Sequence, residues 1–147
     1  MAGRYYEAEH FVAYARIRGA GLSRWNDLHE DRPGDYDDFD GRAFLERVLP
    51  TGTDHRGMRA LEYGCGTGAA ACFLARRGFA VTAVDLVPDA IALARRFAAE
   101  RGLVITFAVQ DVCRWTDDGD HCDLVLDNLC LQSIVTDDDR SRLLGSV

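Results

Sequence analysis

The chain has 147 residues, 48% of them apolar and 28% charged, and a formal net charge of -7. This length and balance suit a single globular domain with its own core. The negative charge makes nucleic acid an unfavourable partner, since phosphate backbones would be repelled. A polar start and the lack of a long apolar run speak against a secretory leader and a membrane span, so a cytoplasmic protein is expected.

From the N-terminus, "YYEAEHFVAYARI" has helical apolar spacing at Tyr6, His10, Val12, Ala13 and Ile17, and Gly19 and Gly21 end it. The acidic, turn-rich stretch that follows reads as a loop, its Asp35, Asp37, Asp38 and Asp40 solvated rather than arranged for calcium. "GRAFLERVLP" reads as a short amphipathic helix with Phe44, Leu45, Val48 and Leu49 inward. Residues 1–57 are thus expected to form a helical lid segment, and 58–147 an α/β core.

In that core, "MRALEY" is a strand and "GAAACFLARR" a helix. "AVTAVD" is a second strand, and "PDAIALARRFAAER" a strong helix that starts at a proline. "LVITFAV" and "CDLVLDNL" are further strands, and "DDDRSRLLGSV" opens a helix with acids in its first turn and Leu143 and Leu144 as its apolar face. Such alternation implies a doubly wound parallel sheet, here with about four strands in the order 3-2-1-4. Ligands in such sheets sit at the carboxyl ends of the strands. The fourth strand is left with an open edge, which suggests a homodimer.

Between the first strand and its helix lie Gly64, Gly66 and Gly68, with Cys65 between the first two. Gly64, Gly66 and Ala69 satisfy the dinucleotide pattern GxGxxG/A, and Asp85 follows near the place of its ribose-binding acid. Spacing alone therefore permits a nicotinamide cofactor. Glu62, two residues before Gly64, argues against a pyrophosphate at this helix start. The same carboxylate suits a nucleoside that carries an ammonium and a sulfonium, as S-adenosylmethionine does.

"LEYGCGTG", "VTAVDLVPDAIALAR", "VQDV" and "CDLVLDNLCLQSI", in that order, resemble the motifs of class I, Rossmann-like S-adenosylmethionine-dependent methyltransferases from about Met58 to Val147. The resemblance implies that Glu62, Gly64, Cys65, Gly66 and Gly68 form the loop at the methionine end. It implies that Asp85 holds the ribose diol, Leu86 packs on the adenine, Asp111 and the Val112 amide serve the adenine edge, and Asp127 or its carbonyl lies near the sulfonium. Tyr5, Tyr6, His10, Tyr14 and Trp25, in the lid segment, are candidates to wall the cofactor or acceptor, with His10 or His29 as a candidate base.

S-adenosylmethionine is then the expected cofactor, S-adenosylhomocysteine the product, and a small molecule the expected acceptor. "DNLC" stands where enzymes that methylate nucleic-acid amines commonly carry an Asn/Asp-Pro-Pro-aromatic motif. A Pro-Gly-Gly turn and further strands that complete the family's sheet are not found by Val147, so the chain is expected to lack the usual C-terminal third. The alternatives are a cofactor-binding module or fragment without catalysis and, from another class, an NAD-dependent oxidoreductase. No metal site is expected: Cys65, Cys72, Cys113, Cys122 and Cys130 lack CxxC spacing, the four histidines form no HxxxH pair, and Asp117–Asp118 and Asp137 to Asp139 read as loop and helix-start charges.

Overall fold

The computed structural model describes residues 5–115 and 121–146, so Asp117–Asp118 lie outside the described residues. Helix α1 (Tyr5–Gly19) is followed by a 3-10 turn (Asn26–Leu28) and α2 (Arg42–Val48). Strand and helix then alternate: β1 (Arg59–Tyr63), α3 (Ala69–Arg76), β2 (Ala80–Asp85), α4 (Pro88–Glu100) and β3 (Thr106–Val109). After 3-10 turn Val112–Arg114 come β4 (Leu124–Asp127), 3-10 turn Leu131–Ser133 and α5 (Asp137–Ser146).

The four strands form one parallel sheet in the order β3-β2-β1-β4, as the alternation of elements predicts. The register aligns their carboxyl ends: Tyr63 of β1 pairs with Val84 of β2 and Asp127 of β4, and Asp85 pairs with Val109 of β3. β1, at the centre, is buried from Ala60 to Tyr63, as a strand covered on both faces must be. β4 pairs only with β1, and its outer edge has no strand partner among the described residues.

Helix α3 is buried over five consecutive residues, Ala70 to Leu74. A helix apolar all round must be covered all round. The sheet covers one side, and the N-terminal segment helps to cover the other: Tyr36 and Leu45 join the same cluster, and the Tyr36 hydroxyl donates to the Thr67 carbonyl at 2.6 Å. Ile17 of α1 is fully buried in that cluster too, and Arg18 pairs with Asp89 of α4 at 2.6 Å. Residues 5–57 thus share the core of the sheet domain rather than building their own.

A second cluster joins Tyr63, Val84, Val112, Cys113, Ile134 and Leu143. It docks α5, whose start is capped by a side chain: Thr136 Oγ1 accepts from the Asp139 amide and donates to the Asp139 carboxylate.

Several apolar residues expected inward lie outward. Val12 is 61% exposed, and Tyr14 takes the inner position beside Ala13 and Ile17. α2 has only two turns and one contact stripe, so Leu45 is buried while Phe44 and Val48 are about half exposed. On α5 Leu143 is buried and Leu144 is exposed. Phe44 and Leu45, and Leu143 and Leu144, are neighbours about 100° apart around their helices, so only one of each pair faces the core. Among the described residues, no helix is long and apolar enough to cross a membrane.

Candidate functional site

A cavity of about 400 Å³ opens at the carboxyl ends of the strands. Its floor is the turn from β1 to α3. Gly64 and Gly66 have φ of +63° and +56°, a region where side chains are strained. Each is also closely approached. A Cβ on Gly64 would collide with the Cys130 side chain, and one on Gly66 would lie 2.6 Å from the Tyr14 hydroxyl oxygen. Gly68 has another task. A Cβ there would press on Ala94 and Phe107 at 3.1 and 3.2 Å, so this glycine allows α3 to pack on α4 and β3, and it does not line the cavity.

Two of the wall's carboxylates, Glu62 and Asp85, are buried. Asp85, at the end of β2, accepts the Gly66 amide on Oδ2 and the Val87 amide on Oδ1, both at 2.9 Å. It therefore ties the glycine turn to the neighbouring strand. Burial raises its pKa, against the lowering effect of the Val87 and Gly66 amides. Glu62, near the end of β1, is 1% exposed. Burial pushes it up to about 8, with Asp85 adding to the effect and the Ala71 amide opposing it. Its Oε2 is buried without a hydrogen-bond partner. An unpaired buried polar oxygen costs roughly 1–3 kcal/mol, more if charged, so it is a place for a donor from a ligand.

Asp111 stands beyond β3 and also lines the cavity. Its carboxylate accepts the Cys113 amide at 3.0 Å and lies 3.4 Å from Arg114 Nε. Leu86 and Val112 line the wall between Asp85 and Asp111. On the opposite side His10, Tyr14 and Trp25 converge. The Trp25 ring lies 5.1 Å from His10 and 5.6 Å from Tyr14, centroid to centroid.

The loop that carries Trp25 is held by buried Asp27, which accepts amides from Ser23, Arg24 and Gly34 and the Arg24 guanidinium. Burial would raise the pKa of Asp27, but these donors together hold it below the ordinary range. Thr67 Oγ1 then donates to the Ser23 carbonyl at 2.6 Å, tying the loop to the glycine turn.

The structure thus brings Glu62, Gly64, Cys65, Gly66, Asp85, Leu86, Asp111, Val112, His10, Tyr14 and Trp25 to one cavity. It does not bring Gly68 or Asp127 to the cavity wall. Asp127 instead accepts the Cys130 amide at 2.8 Å and the Tyr63 hydroxyl at 3.0 Å, fixing the turn after β4. Tyr5 and Tyr6 begin α1, and their side chains fall outside the described residues. His29 is not part of the wall.

Sequence reasoning missed Asn26, Gln110, Asn128 and Cys130 as wall residues. It also missed Arg24, Asp38 and Asp40, whose loop reads as solvated; only their places after a strand end or in the lid loop hinted at this. Burial pushes the Cys65 and Cys130 thiols up, which argues against a nucleophile there. Among the described residues, no group of three His, Cys, Asp or Glu could hold a metal ion.

Relatives bear on this arrangement. The chain is 39% identical over 75 residues to the 2-heptyl-1-hydroxyquinolin-4(1H)-one methyltransferase of Mycobacteroides abscessus, which covers 50% of this chain and 33% of that protein. It is 43% identical over 56 residues to a ubiquinone biosynthesis O-methyltransferase of Xylella fastidiosa, covering 38% of this chain and 23% of that one. The match therefore spans a third or less of the length of either relative. The fold is that of the magnesium protoporphyrin IX methyltransferase of Synechocystis, solved with bound S-adenosylmethionine. The TM-score is 0.65 at 20% identity, over 100% of this chain and 74% of that one. A methyltransferase domain family matches residues 60–147, more than half of the sequence, and the chain belongs to that family.

Proposed function

We propose that this chain binds S-adenosylmethionine in the cavity at the strand ends and serves methyl transfer to a small-molecule acceptor. The observation that carries the reading is the unpartnered Glu62 Oε2, buried at the cavity wall beside the glycine turn. A dinucleotide would bring a pyrophosphate to this turn, next to the Asp85 carboxylate, which does not favour it. An ammonium meets the opposite condition.

When bound, S-adenosylmethionine supplies a methyl group already activated by its sulfonium. The chain's own residues then have to bind and orient. Glu62 takes the ammonium, and the free lone pairs of the Asp85 oxygens accept the ribose hydroxyls. Leu86 packs on the base, while Asp111 and the Val112 amide meet its polar edge. The aromatic rings of Tyr14 and Trp25 in the wall exclude water and can attract a cation. Alignment of donor and acceptor can supply roughly 7–11 kcal/mol of barrier reduction, so no dedicated nucleophile is needed. The acidic net charge supports a small acceptor over nucleic acid.

Calorimetric titration with S-adenosylhomocysteine and, separately, NADH tests the reading. Binding of the former alone is expected. Binding of NADH without S-adenosylhomocysteine would overturn it.

A further inference from the structure

Glu62 and Asp85 share one cavity wall but differ in their hydrogen bonds. Asp85 has a backbone amide on each oxygen, whereas Glu62 has the Ala71 amide and an oxygen with no partner. The titratable groups that act electrostatically with Glu62 lie on several packed elements: Tyr14 of α1, Tyr36 of the loop before α2, Cys65 of the glycine turn, Asp85 of β2, Asp127 at the end of β4 and Cys130 in the turn after it. The phenols and thiols are all pushed up and stay neutral. His10 acts on Asp85. The charged groups that act on Glu62 itself, Asp85 and Asp127, are both carboxylates and both raise its pKa.

We propose that Glu62 reads the charge of the bound nucleoside by exchanging a proton for the ligand's ammonium, so that the cavity separates nucleosides that carry an amino acid from truncated ones. This rests on the nucleoside-binding reading above and adds a mechanism of discrimination to it. Without a cation the carboxyl keeps its proton, because a buried anion beside Asp85 has nothing to compensate it. An arriving ammonium provides that compensation. The Glu62 proton then leaves to solvent, the carboxylate accepts from the ammonium, and the ligand keeps its own protons. A nucleoside without the amino group leaves the carboxyl protonated. A group that titrates at about 8 is about nine-tenths protonated at pH 7, so nearly one proton is released per ammonium bound.

The probes are S-adenosylhomocysteine, which keeps the amino acid, and 5′-methylthioadenosine, which lacks it. Each is titrated calorimetrically at pH 7 in two buffers of different ionisation enthalpy, and again between pH 6 and 7.5. The homocysteine ligand is expected to release about 0.9 proton and to bind about tenfold more tightly per pH unit. The truncated ligand is expected to release none and to show a flat pH profile. In Glu62→Gln the release and the pH dependence for S-adenosylhomocysteine are expected to vanish. Binding of S-adenosylhomocysteine without proton release would overturn the inference and leave the cofactor reading intact. So would equal release in Glu62→Gln, or equal release with both ligands. The wild-type comparison decides the matter even if the variant does not fold. If neither nucleoside binds, the cofactor reading falls and this inference falls with it.

Discussion

The same carboxyl makes the stability of the free protein depend on pH. Glu62 has an ordinary pKa of 4.5 and titrates at about 8 in the fold. Between these values the folded chain holds one proton that the unfolded chain has lost. Its contribution is fully present below the unfolded pKa and is lost as pH rises through the folded one. The slope is about 1.4 kcal/mol per pH unit, or about 2 kcal/mol from pH 5.5 to 7.0. At an m-value of roughly 2 kcal/mol/M this lowers the urea midpoint by about 1 M. Asp27 and Asp37 have lowered pKa values, so their linkage acts below this window. Asp85 acts in the same direction as Glu62, and comparison with Glu62→Gln separates the two. Urea unfolding of both proteins at pH 5.5 and 7.0, followed by circular dichroism, is the assay. The wild-type midpoint is expected to fall by about 1 M more than that of the variant. Equal falls would refute the placement of Glu62 as a buried carboxyl without a cation.

Gly66→Ala is expected to cost about 1–2 kcal/mol for the left-handed backbone alone, plus the contact with Tyr14. Adding Tyr14→Phe should recover the second part only, as thermal unfolding would show. Ile17→Ala is expected to destabilise the whole domain by roughly 2–5 kcal/mol in one transition, because Ile17 is fully buried in the main core. An unchanged midpoint would mean that α1 is detachable. Asp27→Ala strips three buried or half-buried amides of their acceptor and the Arg24 guanidinium of one of its partners, and should cost on the order of 3 kcal/mol. It should also weaken S-adenosylhomocysteine binding through the displaced Trp25, which calorimetry on the folded variant can measure.

The order of the sheet was legible because three signals agreed from β1 to β4. Apolar runs of strand length ended in Glu-Tyr-Gly, Asp or Asp-Asn, the helices between them began or stopped at proline and glycine, and parallel crossovers have one hand. What was not legible was which side of each helix faced inward. In α1 and α2 the apolar residues lie on more than one face, so periodicity alone did not exclude Val12, Phe44 or Val48. Long-range packing on α3 and α4 selected Tyr14, Ile17 and Leu45 instead.

The site divides along the same line. Glu62, Gly64, Gly66 and Asp85 were legible because their chemistry is local: a strand end places a carboxylate, and a turn that needs positive φ selects glycine. Asp127 carries an equally good local signal at the end of β4, yet its carboxylate turns to the Cys130 amide and the Tyr63 hydroxyl. The difference is the supply of donors. Next to Asp127 a 3-10 turn offers free amides within three residues and Tyr63 adds a hydroxyl across the strand, so the acid is satisfied within the protein. Next to Glu62 no amide, phenol or thiol among the described residues is placed to donate to Oε2, and that oxygen stays without a partner. A strand-end acid marks a ligand contact only when the fold leaves it a free lone pair, and that depends on residues far apart in sequence. The test on Asp127 follows directly. Asp127→Ala should lower the unfolding midpoint by an amount equivalent to roughly 1–3 kcal/mol, since it removes the acceptor of the Cys130 and Leu131 amides and the Tyr63 hydroxyl. In the folded variant the affinity for S-adenosylhomocysteine should change less than in Asp85→Ala. A larger loss of affinity in Asp127→Ala, with stability unchanged, would show that this carboxylate meets the ligand after all.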